Sequence, residues 1–440
     1  MLSDSFGIGK ILGDGDALII VPPFTHLSNA SLGSHLLQAS AKKAGFRVRI
    51  LYANMLFAGM MGAAEYAQFC RNSTFDVSFH GERMFARSAF GLEPFGKRVA
   101  QRYLPEETLG REKAECLDGL ELFYPPTGKI NLQNLEDIEA ATDSWADRIA
   151  AELSQFSFKA VGCTSSYQQT NSSITIFKHL KIHNPEVKTL LGGANCAGIM
   201  ADGISTLDPE RNYVDYIFSG ESESTFVEFL DNIRGNRLPD KRIILGNASV
   251  DLDGVPDPDY TEYFSQLNFF LPDASAVADE AMIVYETSRG CWWGRSHNCT
   301  FCGLNLEELT YRQKSHRKVV NALKKYHRIY PGKIVCMSDN VMPRGYLPPF
   351  SAELPPMELM YTVRSSISLE TMTMLKKVGI TYLGPGIESF DSKLLSLMNK
   401  GVTAKDNLLF LRNAKSLGLS VTWNFLWAFP GEEISSYEST

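Results

Sequence analysis

The sequence predicts an α/β chain, with an N-terminal doubly wound domain followed by a partial βα barrel. Two observations carry this. Short apolar runs of strand length alternate with segments of helical spacing in both halves of the chain, the pattern of parallel sheets covered by helices. The alternation breaks once, over residues 236–280, where Asp251 to Tyr260 holds two prolines, a glycine and four aspartates and reads as a linker. A chain of 440 residues is also too long for one ordinary core. The expected organisation is therefore a doubly wound domain at 1–235, a linker at 236–280 and a partial barrel at 281–440.

In the first part, Ala17 to Val21 is an apolar strand ended by Pro22 and Pro23. Leu32 to Lys43 has helical spacing and is stopped by Gly45, and Arg47 to Tyr52 is the next strand. Leu135 to Leu153 reads as a helix, and Ala160 to Cys163, Val187 to Leu191 and Tyr216 to Phe218 as strands. Such a Rossmann-like sheet binds ligands at the C-terminal ends of its strands. In the second part, Met282 to Glu286, Ile334 to Met337, Leu359 to Val363, Thr381 to Leu383 and Val421 to Leu426 are five strands separated by helical segments. A barrel built from them has its active site at the C-terminal mouth.

Hydrophobic content of 44% and charged content of 21% are those of a soluble globular protein. A net charge of −7 argues against general binding to nucleic acid or anionic membrane, and the basic stretch Lys314 to Lys318 reads as a solvated helix face. No apolar run approaches the roughly 20 residues of a membrane span. Met1 to Leu12 has no secretory pattern, and eight cysteines scattered over the chain do not form a disulfide framework. The chain is expected in the cytoplasm, where clustered cysteines signal metal or redox chemistry.

One such cluster follows the first barrel strand. In Ser288-Arg-Gly-Cys291-Trp-Trp-Gly-Arg-Ser-His-Asn-Cys299-Thr-Phe-Cys302-Gly-Leu-Asn305, three thiols stand at C-x7-C-x2-C spacing. Three thiolates hold a 4Fe–4S cluster while leaving one iron open to a substrate, where four would close it. The amino and carboxylate groups of S-adenosylmethionine can chelate such an iron. The alternative is a structural Cys3His zinc site completed by His297. Trp292 and Trp293 either pack the loop or face substrate. Polar residues at other strand ends, Asp339, Asn340, Glu388 and Asn424, either orient a ligand or cap helices. Cys336 reads as a core thiol.

In the first domain, small polar residues and glycines follow three strands: Thr164, Ser165, Ser166 and Gln169; Gly192, Gly193, Ala194 and Asn195; and Gly220 and Glu221. Glycines there admit a bulky ligand, and helix starts offer N–H groups to phosphate, so a generic nucleotide site is the alternative.

The cysteine loop, Gly384-Pro-Gly-Ile-Glu388-Ser, Leu397-Met-Asn-Lys-Gly401-Val-Thr with Asn407, and Val421-Thr-Trp-Asn424 running into Phe429-Pro-Gly-Glu432 resemble the cobalamin-dependent radical SAM C-methyltransferases of ribosomal peptide maturation. The resemblance implies a 4Fe–4S cluster on Cys291, Cys299 and Cys302, and S-adenosylmethionine contacted by Phe301, Asp339, Asn340, Glu388 and Asn424. It also implies cobalamin against the three loops of the first domain. With no Asp-x-His-x-x-Gly segment to supply a cobalt ligand, that cobalamin is expected base-off, with Ser165, Ser166 or Gln169 near its lower face. The implied reaction methylates an unactivated carbon of a precursor peptide. An electron donor such as flavodoxin or ferredoxin reduces the cluster. Ring formation, rearrangement or small-molecule methylation is the alternative within the class, and a non-catalytic cobalamin- or zinc-binding protein the alternative outside it. The chain stops at Thr440, where a helix after the fifth strand is due, so the barrel is expected to be incomplete; Ala428 stands where the family usually has glycine.

Overall fold

A computed structural model describes residues 5–73, 80–94, 132–303 and 310–438. The chain forms two compact units: Met1–Ala248 with Pro258–Glu280, and Ser249–Asp257 with Ala281–Thr440.

The first unit is built on six parallel strands: β1 (Ala17–Ile20), β2 (Val48–Leu51), β3 (Ala160–Thr164), β4 (Lys188–Gly192), β5 (Tyr216–Ser219) and β6 (Ile243–Leu245). Their spatial order is β2-β1-β3-β4-β5-β6. The first five follow the flavodoxin-like winding, whose direction switches between β1 and β3. β1 is buried along its whole length, as a strand covered on both faces must be. The covering helices are α1 (Leu32–Lys43), α2 (Ala53–Met61), α3 (His80–Phe90), α4 (Leu132–Leu153), α5 (Thr170–His183) and α6 (Glu223–Arg234). α1 packs with α6, and α3, α4 and α5 pack together. Trp145 of α4 is fully buried, with its ring edge-on to Phe57 at 5.1 Å and Phe85 at 5.7 Å.

The expected linker at 236–280 does not exist as one segment. Residues Ile243–Leu245 extend the first sheet as β6, and Thr261–Phe270 forms a helix, α7, that packs on α2 and β2. Its side chains finish the free edge of β2. Gln266 donates from Nε2 to the Ile50 carbonyl at 2.6 Å and accepts the Tyr52 N–H at 2.8 Å, while Glu262 accepts the Ile50 N–H at 3.1 Å. An open sheet edge is thereby closed by side chains in place of a seventh strand. Between these elements, residues 249–257 belong to the second unit. Asp253 accepts the Ser315 N–H, Asp257 accepts from the Tyr285 hydroxyl at 2.9 Å, and Arg312 Nη1 donates to the Ser249 carbonyl. Composition revealed the turns but not the partners of their polar groups.

The second unit holds five parallel strands in the order β7-β10-β11-β12-β13: β7 (Ile283–Tyr285), β10 (Val335–Met337), β11 (Leu359–Val363), β12 (Ile380–Pro385) and β13 (Ser420–Val421). Sequential order with helical crossovers is the pattern of a partial βα barrel. A short antiparallel ribbon, β8 (Ser288–Arg289) with β9 (Arg312–Gln313), brackets the cysteine loop. The helices are α8 (His316–Ile329), α9 (Leu369–Lys377), α10 (Ser392–Leu397) and α11 (Ala404–Leu417). Ser315, Ser368, Asp391 and Thr403 cap their N-termini, Thr403 in a capping box with Asp406. The expected strand Val421 to Leu426 is shorter than its apolar run. As the outer strand it pairs on one side only, and after the Thr422 N–H donates to the Leu383 carbonyl the pairing resumes as a single bridge between Phe425 and Glu388. Lys314 also departs from expectation: it is wholly buried, against the Tyr285 ring and 3.6 Å from Glu286, not on a solvated face. Burial lowers its pKa, Glu286 opposing.

Gln266→Leu is expected to leave the Ile50 carbonyl of β2 and the Tyr52 N–H just after it unpaired and to destabilise the first unit by about 2–4 kcal/mol. A fall in the urea midpoint at unchanged slope would show it.

Candidate functional site: the cysteine loop and the loop edge of the first sheet

Parallel strands place the segments after β7, β10, β11, β12 and β13 at one edge of the second unit's sheet, and the sequence-predicted residues collect there. The loop after β7 is anchored from below by Asp339, which is 3% exposed at the end of β10. Its carboxylate accepts the Thr287 N–H at 2.9 Å, the Thr287 hydroxyl at 2.7 Å and the Ser288 hydroxyl. Burial outweighs these bonds and raises its pKa to about 6. Asp339 is thus a positioning residue for the cysteine loop. Asn340 beside it is exposed.

The far half of the loop is held by the turn after α10. Thr300 donates from its N–H to the Met398 carbonyl and from its hydroxyl to the Leu397 carbonyl, both at 3.1 Å, and Asn399 Nδ2 donates to the Asn298 carbonyl at 2.9 Å. Trp293 lies so close to Gly401 that a Cβ there would sit 2.2 Å from the indole, and Gly401 has φ +66°. Only glycine meets both demands. Leu397-Met-Asn-Lys-Gly401 is therefore the prop of the cysteine loop, a contact between segments about a hundred residues apart.

Cys291, Cys299 and Cys302 form no disulfide and are half-buried. Burial raises the Cys299 thiol's pKa, and the charges around it are Lys400, the other two thiols and Arg364. Arg364, just after β11, lies over the Trp293 ring at 3.7 Å and donates to the Lys400 and Gly401 carbonyls. Burial lowers its pKa, with Cys299 and Cys291 opposing. Three thiols attended by two cations suit an anionic iron–sulfur cluster, in which each iron takes one thiolate. Among the described residues no three His, Cys, Asp or Glu side chains converge as one mononuclear ion would require. The ring of His297, the candidate fourth zinc ligand, stacks on Trp293 with centroids 4.5 Å apart. Leu304 and Asn305 of the motif, and Thr440 at the chain end, lie outside the described residues.

Glu388 and Asn424 come together through backbone: Glu388 N–H donates to the Asn424 carbonyl at 3.1 Å. Glu388 adopts φ +60° and pairs with Lys400 at 2.8 Å. Its turn is shaped by the buried Asn407, which donates to the Ile387 and Ser389 carbonyls. Phe301 is exposed, edge-on to Phe429. Thr287, Arg364 and Lys400 carry the geometry without having been assigned a role from sequence. A cation directly after a strand at the C-terminal edge was the available signal for Arg364.

In the first unit, the three predicted loops also join at one edge. Ser165 N–H donates to the Gly192 carbonyl, and Asn195 N–H to the Ser165 carbonyl at 3.0 Å. Asn195 Nδ2 donates to Ser165 Oγ at 3.1 Å, and Gly198 N–H to Ser219 Oγ at 3.0 Å. Gly193 has φ +117°, and a Cβ there would meet the Ser165 carbonyl at 2.5 Å. Gln169 is buried, donating to the Pro22 carbonyl at 2.7 Å and accepting the Ser166 N–H at 3.0 Å, while Thr164 donates to it at 3.4 Å. Ser165 and Gln169 thus brace the loops internally, while Gly193, Ala194, Gly220 and the 76% exposed Tyr167 form the open ledge, with Ser166 and Glu221 half-buried beside it. The Cys163 and Cys196 thiols are buried, Cys196 pushed up to about 12 by burial.

The Asp339 carboxyl has a pKa above its unfolded value, so its contribution to stability is full below pH 4 and is lost as pH rises through 6. The difference in unfolding free energy between the wild type and Asp339→Asn should therefore fall by on the order of 2–3 kcal/mol between pH 4 and 7. Urea titrations across that range would measure it, and parallel profiles would assign the pKa elsewhere.

Residues 285–440 match the Radical SAM superfamily. The chain is 25% identical over 329 residues to an uncharacterized methyltransferase of Pyrococcus horikoshii, covering 68% of this chain and 67% of that one. It is also 25% identical over 280 residues to hopanoid C-3 methylase of Methylococcus capsulatus, covering 58% and 50%. Among solved structures it resembles the cobalamin-dependent S-adenosylmethionine radical enzyme OxsB, with a TM-score of 0.57, 13% identity, and 93% of this chain on 49% of that one. It resembles TsrM, a radical S-adenosylmethionine methyltransferase from Kitasatospora setae, with a TM-score of 0.59, 13% identity, and coverage of 96% and 69%. The chain thus spans about half the length of OxsB and of the hopanoid methylase. Residues 285–440 are a radical SAM domain, and the chain has the fold of the cobalamin-dependent radical SAM enzymes.

Proposed function

We propose that the chain is a cobalamin-dependent radical SAM methyltransferase. The observation that carries this is the anchored loop of three half-buried thiols, with Lys400 and Arg364 as neighbouring cations, on a radical SAM domain. Cys291, Cys299 and Cys302 would hold a 4Fe–4S cluster, and Phe301, Asn340, Glu388 and Asn424 stand at the same sheet edge to orient S-adenosylmethionine. The open ledge of the first unit would take cobalamin. When bound, these groups supply one-electron cleavage of a sulfonium and a transferable methyl group. The chain's own residues do the rest: Asp339 fixes the loop, Gly401 and Arg364 clamp Trp293, and the cations offset the charge of the thiolates.

The substrate read from the sequence resemblance is a ribosomally made precursor peptide. A small molecule is the second reading, favoured by the two relatives whose names point away from peptides: a hopanoid methylase, and TsrM solved with tryptophan substrate. An external reductant is required in either case.

Protein reconstituted anaerobically with iron, sulfide and cobalamin, then reduced, is expected to form 5′-deoxyadenosine from S-adenosylmethionine and to pass labelled methyl to substrate. Cys299→Ala should lose deoxyadenosine formation by at least about a hundredfold, the scale of removing a metal ligand or its support. Zinc in place of iron in the purified protein, with no deoxyadenosine, would sink the reading. Gly193→Val, which forces the β3 and β4 loops apart, is expected to abolish the absorbance change on adding cobalamin while leaving iron content unchanged.

A further inference from the structure

A cavity of about 580 Å³ opens in the second unit beside the cysteine loop, within the size range of small-molecule sites. Its walls come from the loop itself (Trp292, Trp293), the segment after β10 (Met342, Arg344) and the segment after β11 (Arg364, Ile367). None of Phe301, Asp339, Asn340, Glu388 and Asn424 lines it, so it is distinct from the positions assigned to S-adenosylmethionine.

The chemistry of the wall is specific. Two indoles and aliphatic side chains make it apolar, yet two guanidinium groups lie on it, Arg344 over Trp292 at 3.9 Å and Arg364 over Trp293 at 3.7 Å. Among the described residues that line it there is no aspartate or glutamate. Arg364 is half-buried, and among the described residues its hydrogen bonds go to two neutral carbonyls and not to a carboxylate. Guanidinium groups beside apolar walls call for an anion joined to an apolar body.

We propose that this cavity is the substrate site, and that its occupant is a small organic anion with a ring-bearing apolar body. The acid group would sit on Arg344 and Arg364, and the body against the indoles. Trp292 and Trp293, which follow Cys291 in the chain, line the cavity, so an occupant held there lies beside the cysteine loop. The assignment as substrate site rests on the radical SAM reading; the binding chemistry does not.

The test uses reconstituted protein and two fluorescent probes of similar size, the anionic 8-anilinonaphthalene-1-sulfonate and the uncharged N-phenyl-1-naphthylamine. Ile367→Trp, which fills the cavity, is expected to weaken both probes by at least about tenfold. Arg344→Gln with Arg364→Gln should weaken the sulfonate about tenfold and the neutral probe less than about twofold, the signature of lost charge-assisted bonds. Arg344 is exposed and makes no other hydrogen bond among the described residues, so Arg344→Gln alone reports the same direction in a folded protein. Unchanged binding in Ile367→Trp, or equal losses for the two probes in the arginine variants, would overturn the proposal. Iron is measured on the same samples. Iron-free protein that still shows this pattern counts against the cluster reading alone, and iron-loaded protein without it counts against the cavity alone.

Discussion

A buried carboxylate at the end of β10 is the constraint on which the cysteine loop depends. Asp339 receives three hydrogen bonds from Thr287 and Ser288, the two residues that turn the chain out of β7 toward Cys291. Those bonds favour its charged form, but burial outweighs them and pushes the carboxyl up to about 6. Near neutral pH the charged carboxylate is therefore held at some cost to folding, which the loop's definition requires. An amide would remove that cost but can accept fewer of the same bonds.

From that anchor the loop is carried across to the turn after α10, and the two fastenings differ in kind. The first is electrostatic and local to adjacent strands; the second is steric, with the Trp293 indole seated against a glycine that has no room for a Cβ. Arg364 bonds the two carbonyls of that same turn and lies over the indole. The thiols are thus presented by a loop fixed at both ends, the preorganisation a metal centre requires.

The first unit solves its problem differently. Its loop edge is built almost entirely from backbone bonds and small side chains, with Gly193 allowing the β3 and β4 loops to touch. What remains outside is a ledge with few side chains, and the polar residues most suggestive of ligand contact, Ser165 and Gln169, are occupied in holding the loops to each other. Small hydroxyl and amide residues after a strand can serve either purpose, and only their neighbours in space decide which.

The sequence by itself determined the alternation of strands and helices, the helix from Leu32 to Lys43 to the residue, and the spacing of the thiols at 291, 299 and 302. These are legible because apolar period, caps and ligand spacing are local properties. Tertiary structure alone decided that residues 236–280 contribute a strand, a strap and an edge-closing helix, because Gln266 and Asp253 find partners more than sixty residues away or in the other direction along the chain. It alone decided that Lys314 is buried, that Asp339 supports the loop, and that Arg364 lines a cavity beside the cysteine loop. The physical reason is common to all of them. A polar side chain's role is set by which desolvated partner it meets, and that meeting is a long-range event that no local pattern encodes.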